Sequence, residues 1–323
     1  MQFETYQAFA GRFAALKSSN WHASALVARL VVVTLAALAL TVAGGTFAWL
    51  AGQVLMAIAI MQWFFLLHDC GHRHFFATPA LNTVFGHVAS IFCLVPFTPW
   101  RTIHGQHHLW TGWHDLDPTQ AGVTFDKLPW AQKVLVDVCW ASWIPIFTVA
   151  FGAINFWNLA RCLRRFSRDA QEGWHHAFSM VVPLVAHIAL FWFLGPAQAM
   201  HLYGLGMLGF FILSDPLLLS QHSHMPERIA ENETVLANKL WDQDEYTRSI
   251  VFPRWASSLL LCHFDVHIVH HLFPNLPSYL VGQIQPEVAT VNTIHWWTWL
   301  KQAKRTPAHV LLFSTRLTTG YDF

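Results

Sequence analysis

The sequence predicts an all-α integral membrane protein: four transmembrane helices in two hairpins, with a helical cap that holds a histidine-rich metal site. Three observations predict it. Charged residues are 11 % of the 323, under half the roughly 25 % usual in soluble proteins, and hydrophobic residues are 54 %. The stretches 26–43, 46–67, 177–194 and 198–220 are apolar over close to the ~20 residues that a hydrocarbon core requires. Histidines number 21, more than the 19 Lys and Arg together, and many fall in short motifs just beyond apolar runs.

Residues 1–20 lack an early apolar core and a small-residue cleavage site, so no signal peptide is expected. The first two spans form one apolar block broken at Gly44-Gly45, and the second two are broken at Gly195-Pro196. Neither short connection carries a charge, whereas Arg12, Lys17, Arg161, Arg164, Arg165 and Arg168 lie at the opposite helix ends. The positive-inside rule then places both termini and the central region in the cytoplasm. The whole chain, 1–323, reads as a single domain whose cap is built from 68–176 and 221–323. Two further apolar stretches, 81–99 and 134–157, compete for spanning status. If 81–99 spanned, the first two histidine motifs would face opposite sides of the bilayer; if the motifs share one site, neither stretch spans.

A net charge of +1 argues against a nucleic-acid partner. Cys70, Cys93, Cys139, Cys162 and Cys262 show no CxxC spacing, which fits free thiols in a reducing compartment.

The motifs are HDCGH at 68–72, HGQHH at 104–108 and HIVHH at 267–271. Helical residues three and four apart share a face, so His68 and His72 project together, as do His104, His107 and His108, and His267, His270 and His271. Neutral imidazole suits Zn, Cu, Fe and Ni, and eight imidazoles exceed what one ion can use, so two ions are the natural reading. The metalloprotease pattern HExxH is absent. Haem-binding bundles place axial histidines singly inside spans, whereas these cluster at the apolar ends. Metal-bound imidazoles donate their second N–H to a carboxylate or carbonyl, a role that suits Asp69 and Asp265 beside the first histidines of their motifs.

The order of these motifs, with the neighbourhoods WRTIHGQHHLWTGWHDLDP and HIVHHLFPNLPSYL, resembles the membrane fatty acid desaturase and hydroxylase superfamily, in its acyl-lipid desaturase branch. The resemblance covers about residues 60–285. It implies a cytosolic di-iron site that activates O2 and removes hydrogens from an unactivated lipid acyl chain. The LLLSQHSHMP stretch occupies the family's further ligand position, which makes His222 a ninth ligand and leaves His224 as a neighbour of the metal shell or a polar helix end. Hydroxylation or ketolation of a lipid or carotenoid is the alternative reading on the same metal core; a membrane metal transporter or haem protein is the non-enzymatic one. A separate ferredoxin- or cytochrome-like electron donor is also implied, since the chain has no HPGG stretch of a fused cytochrome b5 and no cysteine set for an iron–sulfur cluster. The arginines at 161–168 read as topology-setting and headgroup-binding, or as a dock for that donor.

Other residues complete the expectations. Asp115 and Asp117 resemble the family's acidic turn after the second motif, where capping or Arg pairing is as plausible as orienting a ligand histidine. Asp215, an acid inside an apolar segment, reads as a partner of a ligand histidine or a lining residue of the acyl tunnel, or equally as structural. Phe64, Phe65, Phe210 and Phe211 are candidates to line an acyl tunnel. Trp296, Trp297 and Trp299, followed by Lys301, Lys304 and Arg305, suggest an interfacial helix. His74, His114 and His263 read as polar interfacial residues, and His87, His187 and His201 as hydrogen-bonded core.

Overall fold

A computed structural model describes residues 1–120, 129–285, 288 and 291–313. The chain opens with α1 (Phe3–Phe13) and α2 (Asn20–Val42), whose first turn is capped by the Ser19 hydroxyl accepting from the His22 amide. Gly44 and Gly45, at φ 86° and 85°, make the turn into α3 (Thr46–Gly71). A Cβ on Gly52 would lie 2.5 Å from Thr41 Oγ1 and 2.8 Å from the Ala37 carbonyl, so glycine is what lets α2 and α3 pack so closely. The third helix runs a full turn past the expected end at 67, which keeps His68 helical and makes His72 its cap.

Next come α4 (Pro79–Cys93) and α5 (Phe97–Trp110), bent 102° from each other where Leu94 takes a left-handed conformation (φ 55°) and Pro96 precedes the new helix. The 81–99 stretch therefore does not run straight. It turns back so that His104 meets His72, the outcome expected if the motifs share a site. The 134–157 stretch divides at Pro145 into α6 (Trp130–Ala141) and α7 (Ile146–Asn155); α8 (Leu159–Arg165) follows at 51° to α7.

Helix α9 (Ala170–Leu194) begins at Asp169, whose side chain accepts from the Glu172 amide, and ends at Gly195 (φ 76°). Then α10 (Pro196–Ala199), a π turn (Met200–Gly204) and α11 (Leu205–His222) make one 27-residue helical run. A π turn disturbs the regular carbonyl pairing. Gln53 of α3 repairs it: its Nε2 donates to the Leu202 carbonyl (2.9 Å), and its Oε1 accepts from the Gly206 amide (2.8 Å). The run Gly204-Leu-Gly-Met-Leu-Gly209 has the spacing of a dinucleotide-binding loop, but it lies inside this helix, and no strand precedes it among the described residues. Its glycines serve packing: a Cβ at Gly206 would lie 2.7 Å from Met56, and one at Gly209 3.0 Å from Ala57.

Beyond α11 the elements are short: a 3₁₀ turn (Leu240–Glu245), β1 (Ser249–Val251), α12 (Arg254–Leu259), α13 (His267–Leu272), α14 (Ser278–Ile284), β2 (Thr293–His295), α15 (Trp296–Arg305) and α16 (Ala308–Phe313). β1 and β2 pair in parallel, with Ile250 opposite Ile294. This corrects the all-α expectation. Strands of three residues are too short for a period-2 pattern to appear in the sequence.

Among the described residues four helices are long and apolar enough to cross a membrane, or up to six if each bent pair counts as one span. They contain three of the four predicted segments whole, and the first, 26–43, up to residue 42. Their surroundings differ: α3 has 72 % of its most apolar window buried within the protein, against 17 % for α9, whose Trp192 and Phe193 are more than four-fifths exposed. Contiguous exposed apolar surface of this kind fits a lipid environment.

Candidate metal centre

Four elements bring histidines to one place: the end of α3 (His68, His72), α5 (His104, His107, His108), the last residue of α11 (His222) and α13 (His267, His270, His271). Gly71, inside the first motif, has a local reason: a Cβ there would collide with the Trp100 ring of α5, so glycine allows α5 to lie against α3. Trp100 in turn stacks on His104 with ring centroids 4.3 Å apart. The start of α13 is held by the Ser249 hydroxyl, which accepts from the Ile268 amide.

The ring nitrogens form two groups. In the first, His68, His72, His104 and His270 each offer a ligand atom within 4.8 Å of the others. His108 joins them, its Nε2 being 3.0 Å from that of His104 and 3.0 Å from that of His270. In the second, His107, His222 and His271 converge likewise, and His267 Nε2 lies 2.7 Å from that of His222 and 3.1 Å from that of His271. The groups adjoin, with the His108 and His271 rings stacked at 4.2 Å. All nine predicted ligand residues are therefore present, five in one group and four in the other.

Hydrogen bonding at the far side of two rings fixes which nitrogen faces inward. Asp117, 1 % exposed, accepts from His107 Nδ1 at 2.7 Å. Gln243 Oε1 accepts from His271 Nδ1 at 2.8 Å, and the Gln243 amide is oriented because its Nε2 donates to the His108 carbonyl at 2.7 Å. With the proton on Nδ1, each Nε2 presents a lone pair. Yet His107 Nε2 lies 3.2 Å from His222 Nε2, and the His68 Nε2 is buried with no hydrogen-bond partner. Facing lone pairs at that distance need a cation or shared protons between them. Two imidazole nitrogens about 2.1 Å from one ion and at right angles to each other lie about 3.0 Å apart. The contacts of 2.7–3.2 Å match that spacing, so the residues present fit a metal in each group.

Protonation is opposed here. Burial holds His104, His108, His267, His270 and His271 well below the ordinary imidazole range, and the neighbouring imidazoles add to the effect. Neutral imidazole is the ligating form.

The supporting residues only partly follow expectation. Asp69 Oδ1 faces His68 Nδ1 at 3.3 Å, and its Oδ2 accepts from the Ser278 amide. The Asp265 carboxylate accepts from the Ser257 hydroxyl at 2.8 Å rather than from a histidine; burial pushes it up to about 6, with the Ser257 hydrogen bond pulling the other way. His224 is buried outside both groups, because the helix ends at His222 and His224 sits in a left-handed conformation (φ 60°). Asp117, open in the sequence to capping, Arg pairing or orienting a histidine, is the closest carboxylate to a candidate ligand. Gln243 had no signal at all, lying 24 residues before the third motif.

Asp215 accepts from the Thr148 amide at 2.7 Å and the Phe147 amide at 3.4 Å, so it caps the first turn of α7, the structural one of the roles open to it. Phe64, Phe65 and Phe210 are buried side by side, and Phe264, which stacks on Phe65 at 4.6 Å, meets His68 edge-on at 5.1 Å. Lys304 is turned onto aromatic rings: its ammonium lies 3.6 Å and 3.8 Å from the Trp140 and Trp143 ring centres, and burial pushes it down to about 8. Arg161 donates to the Pro118 carbonyl, while Arg164, Arg165 and Arg168 are exposed, the last of them paired with Glu172. His114 pairs with Glu227, His187 donates to the Pro183 carbonyl and His201 stacks on Trp49.

A family model described as fatty acid desaturase matches residues 44–302, a span that includes every histidine of both groups. The chain belongs to the fatty acid desaturase family. It is 27 % identical over 260 residues to the sn-1 oleoyl-lipid 12-desaturase of a Picosynechococcus species, covering 77 % of this chain and 70 % of that one. It is 26 % identical over 289 residues to the endoplasmic reticulum acyl-lipid omega-3 desaturase (cytochrome b5) of Arabidopsis thaliana, covering 82 % and 69 %. Against the chloroplastic sn-2 acyl-lipid omega-3 desaturase (ferredoxin) of Helianthus annuus the identity is 27 % over 252 residues, covering 67 % and 50 %. Family and helices together make this a membrane protein.

Proposed function

We propose that this protein is an O2-dependent fatty acyl desaturase, an oxidoreductase that introduces a double bond into a lipid acyl chain beside a pair of iron ions. The observation that carries the reading is the pair of adjoining nitrogen groups within the family's matched region. In the overall reaction –CH2–CH2– becomes –CH=CH–, and O2 leaves as two waters after gaining those two hydrogens plus two electrons and two protons from outside. Iron, when bound, supplies the O2 activation that an unactivated C–H bond requires.

The chain's own residues then have distinct tasks. His68, His72, His104, His108 and His270 would hold one ion, and His107, His222, His267 and His271 the other. Asp117, Gln243 and Asp69 keep the Nδ1 protons of His107, His271 and His68 on the side away from the metal. Phe264 and Trp100 pack directly on His68 and His104 and exclude water there. Phe64 and Phe210, whose rings meet between α3 and α11 with centroids 6.4 Å apart, are the walls beside which we set the acyl chain. Asp265 bonds Ser257, so we assign it no part in orienting a ligand.

The arrangement in the bilayer belongs to the same reading. Helices α2 and α3 form one hairpin, α9 and the 27-residue run to His222 the other, and the histidine cap lies in the cytoplasm with both termini. The uncharged turns at Gly44-Gly45 and Gly195-Pro196, against Arg12, Lys17, Arg164 and Arg165 at the other ends, support that orientation. Electrons come from a separate ferredoxin- or cytochrome-like protein; the names of two relatives include cytochrome b5 and ferredoxin.

The test has two arms. Purified protein should carry about two irons per chain and no haem absorbance. Cells expressing it should gain a double bond in an acyl chain, located by mass spectrometry. A new hydroxyl group instead would make it a hydroxylase of the same core, and unchanged lipids with freely exchanging metal would remove the enzymatic reading.

A further inference from the structure

The second nitrogen group depends on where α11 stops, because His222 is the last residue of that helix. The last turn of a helix leaves carbonyls without intrahelical partners, and in a buried position no bulk water replaces them. Ser220 and Gln221 are 0 % and 1 % exposed. Pro216, earlier in the same helix, has already taken one link out of the ladder. The end of α11 therefore has to be closed by another part of the chain.

Arg248 supplies most of that closure. Buried at 3 % exposure, it donates from Nη1 to the Ser220 carbonyl at 2.9 Å and to the Ser223 carbonyl at 3.2 Å. Its backbone amide donates to the Gln221 carbonyl at 2.8 Å. Carbonyls on both sides of His222 are thus served by one residue from outside the helix. The remainder is closed by the Ser223 amide, which donates to the Leu219 carbonyl at 2.9 Å, and by Gln221 Nε2, which donates to the Phe264 carbonyl at 3.0 Å. A guanidinium suits this place: each Nη carries two N–H groups, and the charge sits at the negative end of the helix dipole.

The stretch that ends in Arg248 also carries other supports of the same group. Gln243 accepts from His271 Nδ1, the Thr247 hydroxyl donates to the Gln243 carbonyl at 2.9 Å, and the His222 ring donates to the Tyr246 carbonyl. None of these contacts meets a ring of the first group. We infer that Arg248 is a positioning residue of the second nitrogen group: by ending α11 at His222 it holds that imidazole where His107, His267 and His271 converge, and so sets the affinity of this group, and not of the first, for a metal ion. The inference rests on the two-ion reading given above and adds to it a residue outside both groups that controls one ion alone.

The test counts metal rather than turnover. Full-length metal-free protein in detergent is titrated with Co2+, whose visible absorption reports each ion as imidazole nitrogens bind it. Wild type should take up about two ions per chain. In Arg248→Gln the second ion should bind about 10- to 100-fold more weakly, with the first unchanged. Arg248→Lys keeps the charge and part of the hydrogen bonding, so its second ion should bind with intermediate affinity. It decides the matter if the Gln variant does not fold. The thermal midpoint of the metal-free samples identifies a general loss of stability, which would weaken both ions alike. Two ions held with wild-type affinity by the deciding variant, or equal weakening of both, would overturn the inference. Fewer than two ions on wild type would remove the two-ion reading itself, and this inference with it.

Discussion

The two nitrogen groups are built differently. In the second, His107 and His271 are each tied at Nδ1 by a short hydrogen bond, of 2.7 Å to Asp117 and 2.8 Å to Gln243. In the first, the matching contact is a longer one of 3.3 Å from His68 to Asp69, and His108 Nδ1 is buried with no partner among the described residues. What orients the first group is packing: Trp100 lies flat on His104 and Phe264 stands edge-on to His68. The second group thus has two short polar ties that fix the tautomer, with His267 Nδ1 left without a partner among the described residues, whereas the first has one longer polar contact and leans more on aromatic walls. Losing such an outer partner typically costs about 10- to 100-fold in metal affinity or activity.

The largest expected effect comes from removing a nitrogen from the smaller group. His222 contacts both His107 and His267 through Nε2, so His222→Ala should break the second group and spare the first. Activity should fall to background and bound metal from about two ions per chain to about one, read by elemental analysis. Retention of both metals would show that the two groups are not separate holders.

The polar ties give the next contrast. Asp117→Asn keeps the shape but no longer enforces the Nδ1 proton on His107, and should cost about 10- to 100-fold in metal affinity or activity. Asp69→Asn, at its longer contact, should cost less than Asp117→Asn when both are titrated with the same chelator. Equal losses would mean that distance does not separate the groups.

These two carboxylates also show how far the sequence could be read. The HxxHH spacings made the ligand faces legible, because helix periodicity is a local property, and hydropathy made the four long helices legible for the same reason. The outer partners depend on how distant segments meet. Asp265 stands two residues from a histidine and bonds a serine, whereas Asp117 stands nine residues beyond His108 and reaches back to His107. Gln243 reaches the site from a 3₁₀ turn with no motif around it. The β1–β2 pair joins residues more than forty apart, and its strands are shorter than any period that reveals them.

A milder effect follows from acid. The buried histidines outside the spanning helices have folded values below the ordinary 6.5, chiefly through burial. A base with a depressed folded value binds its proton better when unfolded. The metal-free protein should therefore keep its stability above about pH 6.5 and lose it progressively as pH falls through and below that value. A thermal midpoint measured in detergent should drop on that acid side, and a midpoint that rises there would contradict neutral, buried imidazoles. His222→Ala should flatten the drop, since it removes one member of the repelling set around His267.

The smallest effect on turnover is expected at Asp215, although an acid inside an apolar helix is usually a functional candidate. Its oxygens are used by the Phe147 and Thr148 amides, so its task is to cap α7 from a neighbouring helix, much as an N-cap side chain does within its own. Pro216 cannot donate a backbone hydrogen bond and removes one link from the ladder just beside it, so the two helices are held here by the side chain. Asn can still accept through its Oδ1 but brings no negative charge to the end of the helix dipole. Asp215→Asn should therefore cost about 1 kcal/mol of stability, seen as a lower thermal midpoint, with metal content and turnover per folded molecule unchanged. If turnover collapsed while the midpoint stayed put, Asp215 would have to act on the acyl chain or on the histidines, and the capping account would be wrong.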